Sequence, residues 1–269
     1  MIRLPLLLAC GVAILNGAAA AEFVPHRAVY DVTLHSAERG SGILAISGEM
    51  LMDSNESCEG WTVRYRFSNE IKVARATPVR VIGNATAWES HDGLAFRFSV
   101  RNVTSGEPPE RIEGSAQLAG PGKAGTARFD MPTPRTVNLP KGTLFPGAHN
   151  DAVFVAAESN KTSMQRYVFD GLEGRGLTVV KTVIGKPVTS PPSRAALKPM
   201  AGVKSWPVQF STYSAGSPNA ELIHRIGQRM YANGLTDEMI MDSGQFKLSA
   251  RLKALEFGTR PNCGPTARR

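Results

Sequence analysis

The sequence predicts an all-β protein in which about fourteen antiparallel strands form a single, strongly bent sheet, with one helix against the concave face. Three observations lead to this prediction. Apolar and polar residues alternate with a period of two over most of the chain, turn-forming pairs separate the alternating segments, and a single segment has helical periodicity. A meander of this length leaves two exposed edges unless the sheet curls, so we expect a β-spiral or open barrel.

The predicted strands fall into two series along the chain. The first series occupies residues 27–34, 42–52, 61–71, 78–88, 94–103, 112–118, 125–131 and 135–139, and the second occupies 165–169, 177–184, 205–213, 221–231, 237–241 and 245–257. In the first strand Ala28, Tyr30, Val32 and Leu34 share one face. Asn233 and Gly234 form the clearest hairpin turn, because both residue types readily adopt a positive φ.

One helix is predicted between the two series, over residues 147–159. Asn150 or Asp151 can cap or complement its amino end. The predicted apolar stripe consists of Ala152, Val153, Val155 and Ala156. Residues 185–203 contain four prolines and therefore predict a long loop, with a flexible lid as the alternative.

The first residues are typical of a cleaved export signal. Arg3 supplies a positive charge, residues 4–15 are mostly apolar, and alanines at 18–21 offer a cleavage site. The apolar run is shorter than the roughly 20 residues that a membrane-spanning helix needs. Cys10 loosely resembles the cleavage site of a bacterial lipoprotein, but too few residues precede it. We therefore predict that residues 1–21 are removed and that residues 22–269 form one all-β domain in the periplasm.

Removal of the leader leaves two cysteines, Cys58 and Cys263. An oxidising compartment and the absence of metal-type spacing predict that they form a disulfide. Because Cys58 precedes an early strand and Cys263 follows the last one, we expect this disulfide to bring the two ends of the sheet together. Their separation of 205 residues would make this cross-link worth roughly 5 kcal/mol of stability in the loop-entropy model. Neither cysteine has the neighbours of a redox-active or nucleophilic thiol.

The net charge of the chain indicates which classes of partner to expect. The formal net charge is +8, and the chain without its leader keeps +7, because Arg3 is the leader's one charged side chain. A basic exported protein is attracted to anionic lipid headgroups or acidic envelope polymers, so peripheral contact with an anionic membrane surface is one expectation. A solvated positive surface is the simpler interpretation. The basic residues are spread along the strands without the basic, aromatic-rich runs of nucleic-acid sites, so no nucleic acid is predicted as a partner.

Motifs with a defined chemistry are missing from the sequence. It has no Gly-x-Ser-x-Gly nucleophile elbow and no His-Glu-x-x-His zinc motif. The histidines are far apart in the chain, at His26, His35, His91, His149 and His224. We therefore predict no catalytic residues, no metal site and no cofactor.

Two sets of side chains remain as candidates for a site. Trp61, Trp88 and Trp206 lie on predicted strands, where core packing is the usual role of an aromatic side chain. If they face one concavity, they could instead line a slot for an acyl chain or a glycan ring. Asp237 and Glu238 could serve as the carboxylate pair of a hydrolase, although solvated turn residues are the simpler interpretation.

Five short motifs occur in order along the chain. They are FVPHRAVY at residues 23–30, CEGW at 58–61, FDG at 169–171, WP at 206–207 and YANG at 231–234. Together with a cysteine after the last strand, they resemble the envelope integrity protein B (EipB) family of bacterial periplasmic proteins. This resemblance implies a spiral-like antiparallel sheet, a disulfide between the two corresponding cysteines and a role in maintaining the cell envelope. The shape of proteins in that family is similar to that of outer-membrane lipoprotein carriers, which shield acyl chains in an open half-barrel.

We therefore expect a non-enzymatic periplasmic protein that supports envelope integrity by binding a lipid, another apolar ligand or an envelope protein partner. The basic charge balance and the proline-rich segment depart from the family pattern and bear on any shared partner surface. Two alternatives remain open. The protein could be a scaffold that docks a partner along a sheet edge, or a hydrolase of envelope polymers whose carboxylates are brought together by folding.

Overall fold

A computed structural model describes residues 23–171, 176–189, 195–216 and 221–264 of the chain. Fourteen strands and one α-helix account for most of these residues. The strands are β1 (His26–Ala37), β2 (Ile43–Glu56), β3 (Gly60–Val73), β4 (Val79–Ser90), β5 (Ala95–Thr104), β6 (Glu110–Leu118), β7 (Gly125–Met131), β8 (Arg135–Leu139), β9 (Ser163–Val168), β10 (Thr178–Ile184), β11 (Ser205–Ser214), β12 (Leu222–Tyr231), β13 (Thr236–Asp242) and β14 (Phe246–Phe257). The helix α1 (Pro146–Glu158) lies between β8 and β9. The predicted leader with Cys10, and residues 190–194 of the proline-rich segment, lie outside the described residues.

All fourteen strands belong to one antiparallel sheet that does not close into a barrel. Strands that are consecutive in sequence pair with each other, except β8 and β9, and β1 also pairs with β14, where Ala28 lies opposite Leu255. The two predicted series of strands are therefore joined along the β1–β14 pair, and β8 and β9 are the edges of the sheet. The prediction of a single bent antiparallel sheet of about fourteen strands is confirmed.

The segment between β8 and α1 partly spans the gap between the two edges. Leu144 forms an isolated parallel bridge with Val168 of β9. The Leu144 N–H donates to the Tyr167 carbonyl at 2.9 Å, and the Phe169 N–H donates to the Leu144 carbonyl at 3.0 Å. These bonds hold the start of α1 against the sheet.

The prediction for the amino end of α1 was wrong. The helix begins at Pro146, so Asn150 and Asp151 lie in its second turn, and Phe145 at the capping position supplies no side-chain hydrogen bond. The acceptors come instead from Glu89 on β4, a residue distant in sequence. Rules that identify a capping residue from the adjacent sequence cannot identify an acceptor that comes from a distant strand.

The buried face of α1 also differs from the predicted stripe. It consists of His149, Val153, Phe154, Ala156 and Ala157. Val155 was assigned to the stripe, but its side chain is 42% exposed. The spacing of three and four residues that starts at His149 defines the buried side of the helix, and Val155 lies on the opposite side.

The proline-rich segment is more structured than the predicted loop over its described part. Val188 bridges Ser205 at the start of β11, and Ala195–Met200 form a 3₁₀ helix. Met200 is buried in a cluster with Tyr231 and Leu235. This part of the segment therefore packs against the sheet.

The disulfide between Cys58 and Cys263 is present, with the two Cα atoms 5.5 Å apart. Its place in the sheet corrects one expectation, namely that it would tie the ends of the sheet together. Cys58 lies in the β2–β3 turn and Cys263 lies in the tail beyond β14, and these strands are close to the middle of the strand order. The disulfide therefore stabilises the region around the β1–β14 pair, which is the seam between the two series of strands. It does not join the edge strands β8 and β9.

The core is divided among clusters on the concave side of the sheet. Under β5–β8, five phenylalanines pack with ring centroids 5.1–6.4 Å apart: Phe96, Phe98, Phe129, Phe145 and Phe169. The carboxyl half of α1 packs against β10–β12 in a second cluster. A third lies along the β1–β14 seam around Tyr30. The amino half of α1 is left facing a space between these clusters.

Candidate functional site

A cavity of about 810 Å³ lies between the concave face of β2–β5, the opposing strands β10–β12 and the amino half of α1. Its first wall is apolar and comes from alternate residues of β3 and β4, mainly Trp61, Val63, Ala85 and Ala87. Its second wall includes Val180, Phe210 and Ile226. The volume is within the usual range for a small-molecule site in a protein.

Small side chains on β4 create the hollow. Period two places Gly83, Ala85 and Ala87 on the inward side of this strand. A β-carbon at Gly83 would overlap the ring of Phe67, which lies across that position. Further along the strand, Ala85 and Ala87 line the cavity, and their small side chains leave space above the sheet.

The polar end of the cavity is built around the Glu89 carboxylate. The backbone N–H groups of Gly147 and Ala148, in the first turn of α1, donate to its two oxygens at 2.6 and 2.8 Å. Glu89 thus satisfies two donors that the first helical turn leaves open, and its charge favours the positive end of the helix dipole. A β-carbon at Gly147 would lie 2.9 Å from a Glu89 oxygen, so a side chain there would displace the carboxylate.

Burial raises the pKa of Glu89 to about 7, because removal of the carboxylate from water outweighs the two backbone hydrogen bonds that favour its charged form. The nearby Asp151 carboxylate adds to this rise in pKa. Both the neutral and the charged form of Glu89 are therefore populated near neutral pH. Asp151 lines the same cavity.

Two histidines are held in the neutral form beside the cavity. Burial, with a smaller contribution from Arg166, lowers the pKa of His149 to about 4, and its ring lies 5.6 Å from that of Phe210. Burial also lowers the pKa of His26, whose Nδ1 lies 2.8 Å from the Val24 carbonyl oxygen. Within the described part of the chain, the Nε2 atoms of both rings have no hydrogen-bond partner.

The mouth of the cavity lies next to the disulfide. Phe23, Glu56, His91 and Arg260 line it there, and Nε2 of His91 lies 2.8 Å from the Ser57 carbonyl oxygen. The Arg260 guanidinium contacts the Glu56 carboxylate at 4.0 Å and donates to the Phe23 carbonyl at 2.5 Å. The tail that carries Cys263 is thus part of the cavity rim.

The three candidate tryptophans do not come together in the structure. Trp61 lines the cavity. Trp88 lies on the opposite, convex face of β4, where the Arg97 guanidinium lies 4.8 Å above its ring. Trp206 is buried beneath α1, with its ring 5.5 Å from that of Phe154.

The candidate carboxylates Asp237 and Glu238 also lie away from this cavity. Both are on β13 and are not turn residues. Asp237 is buried and pairs with Arg229 at 3.4 Å, and Glu238 pairs with Arg251 at 3.1 Å. Ion pairing therefore accounts for their positions.

The residues that gather at the cavity were not predicted as a set. Four of the five histidines line it, namely His26, His91, His149 and His224. Among the described residues, no group of three or more histidines, cysteines and carboxylates is arranged to hold a metal ion. One usable signal was present in the sequence, since Glu89 continues the inward alternation of Ala85 and Ala87 and is therefore an acid on an apolar face.

Within the described ranges, no helix combines the length and hydropathy needed to cross a bilayer. Comparison with known proteins gives consistent matches over nearly the whole chain. The family model described as EipB-like matches residues 17–259. The cell envelope integrity protein EipB of Brucella abortus (strain 2308) is 32% identical over 247 residues, which cover 90% of this chain and 87% of that protein.

A solved structure extends the similarity to the fold. The crystal structure of a beta-barrel-like protein of a domain of unknown function from Brucella abortus superimposes with a TM-score of 0.80 at 30% identity. The match covers 89% of this chain and 100% of that one. The family name does not suggest an enzymatic activity. The relative's name and the disulfide together indicate an exported protein of the cell envelope with a role in envelope integrity. The chain belongs to the EipB-like family.

Proposed function

We propose that the protein supports envelope integrity from the periplasm by holding an amphiphilic ligand, of the lipid class, in the cavity between its concave sheet and α1. The cavity itself is the observation that carries this proposal. An apolar wall suits an acyl chain, since burial of apolar surface drives binding without requiring directional contacts. The wall formed by Trp61, Val63, Ala85 and Ala87 is of this kind.

The polar end of the cavity supports an amphiphile over a purely apolar ligand. Glu89, His149 and Asp151 meet there around the first turns of α1. A polar head at this end could exchange hydrogen bonds with these groups while the chain lies along the apolar wall. The arrangement of a large apolar surface with a few convergent polar groups is typical of small-molecule sites.

A direct test is to purify the protein from its envelope under native conditions and to analyse an organic extract by mass spectrometry. We expect a stoichiometric lipid in the extract of the native protein and none in that of a heat-denatured and refolded sample. An extract of the native protein without any lipid would contradict the proposal.

Narrowing the cavity should reduce its occupancy. In the variant Ala87→Phe, a large ring would enter the cavity from β4, and we expect the amount of co-purified lipid to fall at least fivefold. Overpacking of this kind usually costs about 1–3 kcal/mol of stability. The matched control is Thr86→Phe, which places the same ring on the convex face of the same strand. Equal lipid content in the two variants would show that the ligand lies elsewhere.

A hydrolase is the second candidate, and the placement of Glu89 and Asp151 in one cavity favours it. A carboxyl with a pKa near 7 beside a second carboxylate is a pattern of acid and base catalysis. We rank it second because both Glu89 oxygens already accept helix N–H groups. Release of sugars or fatty acids from isolated envelope material, abolished in Asp151→Asn, would reverse this order.

The sheet edges offer a further route to an envelope protein partner. Four of the six residues of β9 are exposed, and Tyr167 on this strand is 42% exposed. An exposed edge strand can pair with an extended segment of another protein. Crosslinking in intact cells distinguishes this route from the leading proposal, since a scaffold would trap one dominant protein and a carrier would trap lipid.

A further inference from the structure

The convex face of β3–β6 carries a concentration of positive charge. Residues that alternate with the cavity-lining positions point away from the cavity. On these strands, the outward basic side chains are Arg64, Arg66, Lys72, Arg80, Arg97, Arg101 and Arg111, and the outward acidic ones are Glu70 and Glu113. This one face therefore contributes most of the net positive charge of the chain.

Strand register aligns three of these arginines across the sheet. Arg66 lies opposite Asn84, Asn84 lies opposite Arg101, and Arg101 lies opposite Arg111. Neighbouring strands are about 4.8 Å apart, so the row extends roughly 15 Å across four strands. Arg64 follows the same face of β3 as Arg66 and adds a second position beside the row.

The charge on this face is largely unneutralised. Among the described residues, Arg64, Arg66, Arg80 and Arg101 have no ion pair, whereas Arg111 pairs with Glu113 at 2.7 Å. On the adjoining strand β2, Glu49 pairs with Lys253. Asp53 lies opposite Arg64 in the strand register and accepts a hydrogen bond from Asn55, whereas Arg66 lies opposite Leu51.

On the opposite half of the sheet, by contrast, ion pairs neutralise the basic side chains. On β12–β14, five basic side chains each contact a carboxylate: Arg225, Arg229, Lys247, Arg251 and Lys253. The strand surface of β12–β14 is therefore largely neutralised by ion pairs, in contrast to the convex face of β3–β6.

Two apolar side chains accompany the arginines. Ile82 is 38% exposed on the outward side of β4, and Trp88 lies on the same side under Arg97. Arginine binds phosphate through two parallel hydrogen bonds more readily than lysine does. Tryptophan is enriched where proteins meet the headgroup layer of a membrane. These preferences identify the chemistry of the partner as an anionic lipid surface.

We propose that the convex face of β3–β6 docks on the anionic headgroups of a bilayer, with the row of Arg66, Arg101 and Arg111 contacting lipid phosphates. Docking through this face leaves the cavity on the other side of the same strands free. The proposal is independent of what the cavity holds, since it rests on outward side chains alone.

Co-sedimentation with vesicles tests the proposal. We expect the full chain to bind vesicles of phosphatidylcholine mixed with phosphatidylglycerol, to bind those of phosphatidylcholine alone at least tenfold more weakly, and to be released by salt. A basic residue near an anionic membrane surface strengthens binding about fivefold, so Arg66→Gln/Arg101→Gln should weaken binding about 25-fold. The control Arg225→Gln/Arg251→Gln removes the same charge from the ion-paired half and should stay within threefold of the unmodified protein.

Three results would overturn the proposal. The first is an equal loss of binding in the two variants, which would mean that net charge alone is responsible. The second is equal binding to both kinds of vesicle. The third is binding to a soluble acidic polysaccharide without binding to anionic vesicles, which would identify an envelope polymer as the partner. Arg64→Gln/Arg97→Gln provides a second test of the same face if the first variant folds poorly.

Discussion

Cys58→Ser is expected to lower the free energy of unfolding by about 5 kcal/mol. The disulfide closes a loop that spans 205 residues, so its loss restores much of the conformational freedom of the unfolded chain. This is a large fraction of the 5–15 kcal/mol that stabilises a typical domain. We therefore also expect a strongly reduced amount of the variant in the envelope.

The measurement is denaturation in guanidinium chloride, followed by circular dichroism with and without reductant. Reduction should shift the midpoint of the unmodified protein to that of Cys58→Ser, and should leave the variant unchanged. Cys263→Ser should behave like Cys58→Ser, because either change removes the same link. The intact mass without reductant should be two hydrogens lighter than after reduction. Coincident unfolding curves for oxidised and reduced protein would contradict the prediction.

The disulfide also has a local consequence at the cavity mouth. The tail that carries Cys263 is held by the Gly258 N–H, which donates to the Pro25 carbonyl at 2.7 Å, and by Arg260 at the rim. Loss of the covalent link leaves these contacts to hold the tail alone. The cross-link therefore stabilises both the seam of the sheet and one side of the candidate site.

The strands could be predicted from the sequence because burial on one face of a sheet imposes a period of two. The alternation in residues 27–34 corresponds to β1, in which Ala28, Tyr30 and Val32 are buried. The pairing of β1 with β14 was not predicted, since nothing local in either strand specifies a partner more than 200 residues away. For the same reason, the sequence could not show that the disulfide lies at this seam.

The site was harder to predict than the fold, because its residues come from separate strands and one helix. His26 and His149 are far apart in the chain, and only the curvature of the sheet brings both to the cavity. The pairing of Glu89 with the first turn of α1 depends on the same curvature. Trp88 and Trp206 were proposed from residue type. The alternation along β4 places Trp88 on the face opposite Ala87, but which face lines a cavity depends on the curvature of the sheet, and the burial of Trp206 depends on the position of the helix.

His149 is expected to make the protein sensitive to acid. Burial lowers its pKa to about 4 in the folded protein, compared with 6.5 in a model peptide, so the unfolded chain binds more protons between these values. Its contribution to stability is complete above pH 6.5 and is lost as the pH falls towards 4, by about 3 kcal/mol in all. His149→Phe keeps a ring beside Phe210 and removes the titration. Urea denaturation at pH 7 and pH 4.5 should show the variant gaining about 2 kcal/mol relative to the unmodified protein on acidification.

Glu89 provides a comparison with the opposite sign. Its pKa is about 7 in the folded protein, compared with 4.5 in a model peptide, so here the folded chain binds more protons between these values. Stability from this group therefore rises as the pH falls from 7 to 4.5, and the two titrations partly cancel in the unmodified protein. Glu89→Gln should lose stability relative to the unmodified protein on acidification, whereas His149→Phe should gain it. His26 remains in all three proteins, so its own titration cancels in the comparison. If both variants followed the unmodified protein in parallel over this pH range, burial beside α1 would not shift the pKa of either group. The polar end of the cavity would then have to be reassigned.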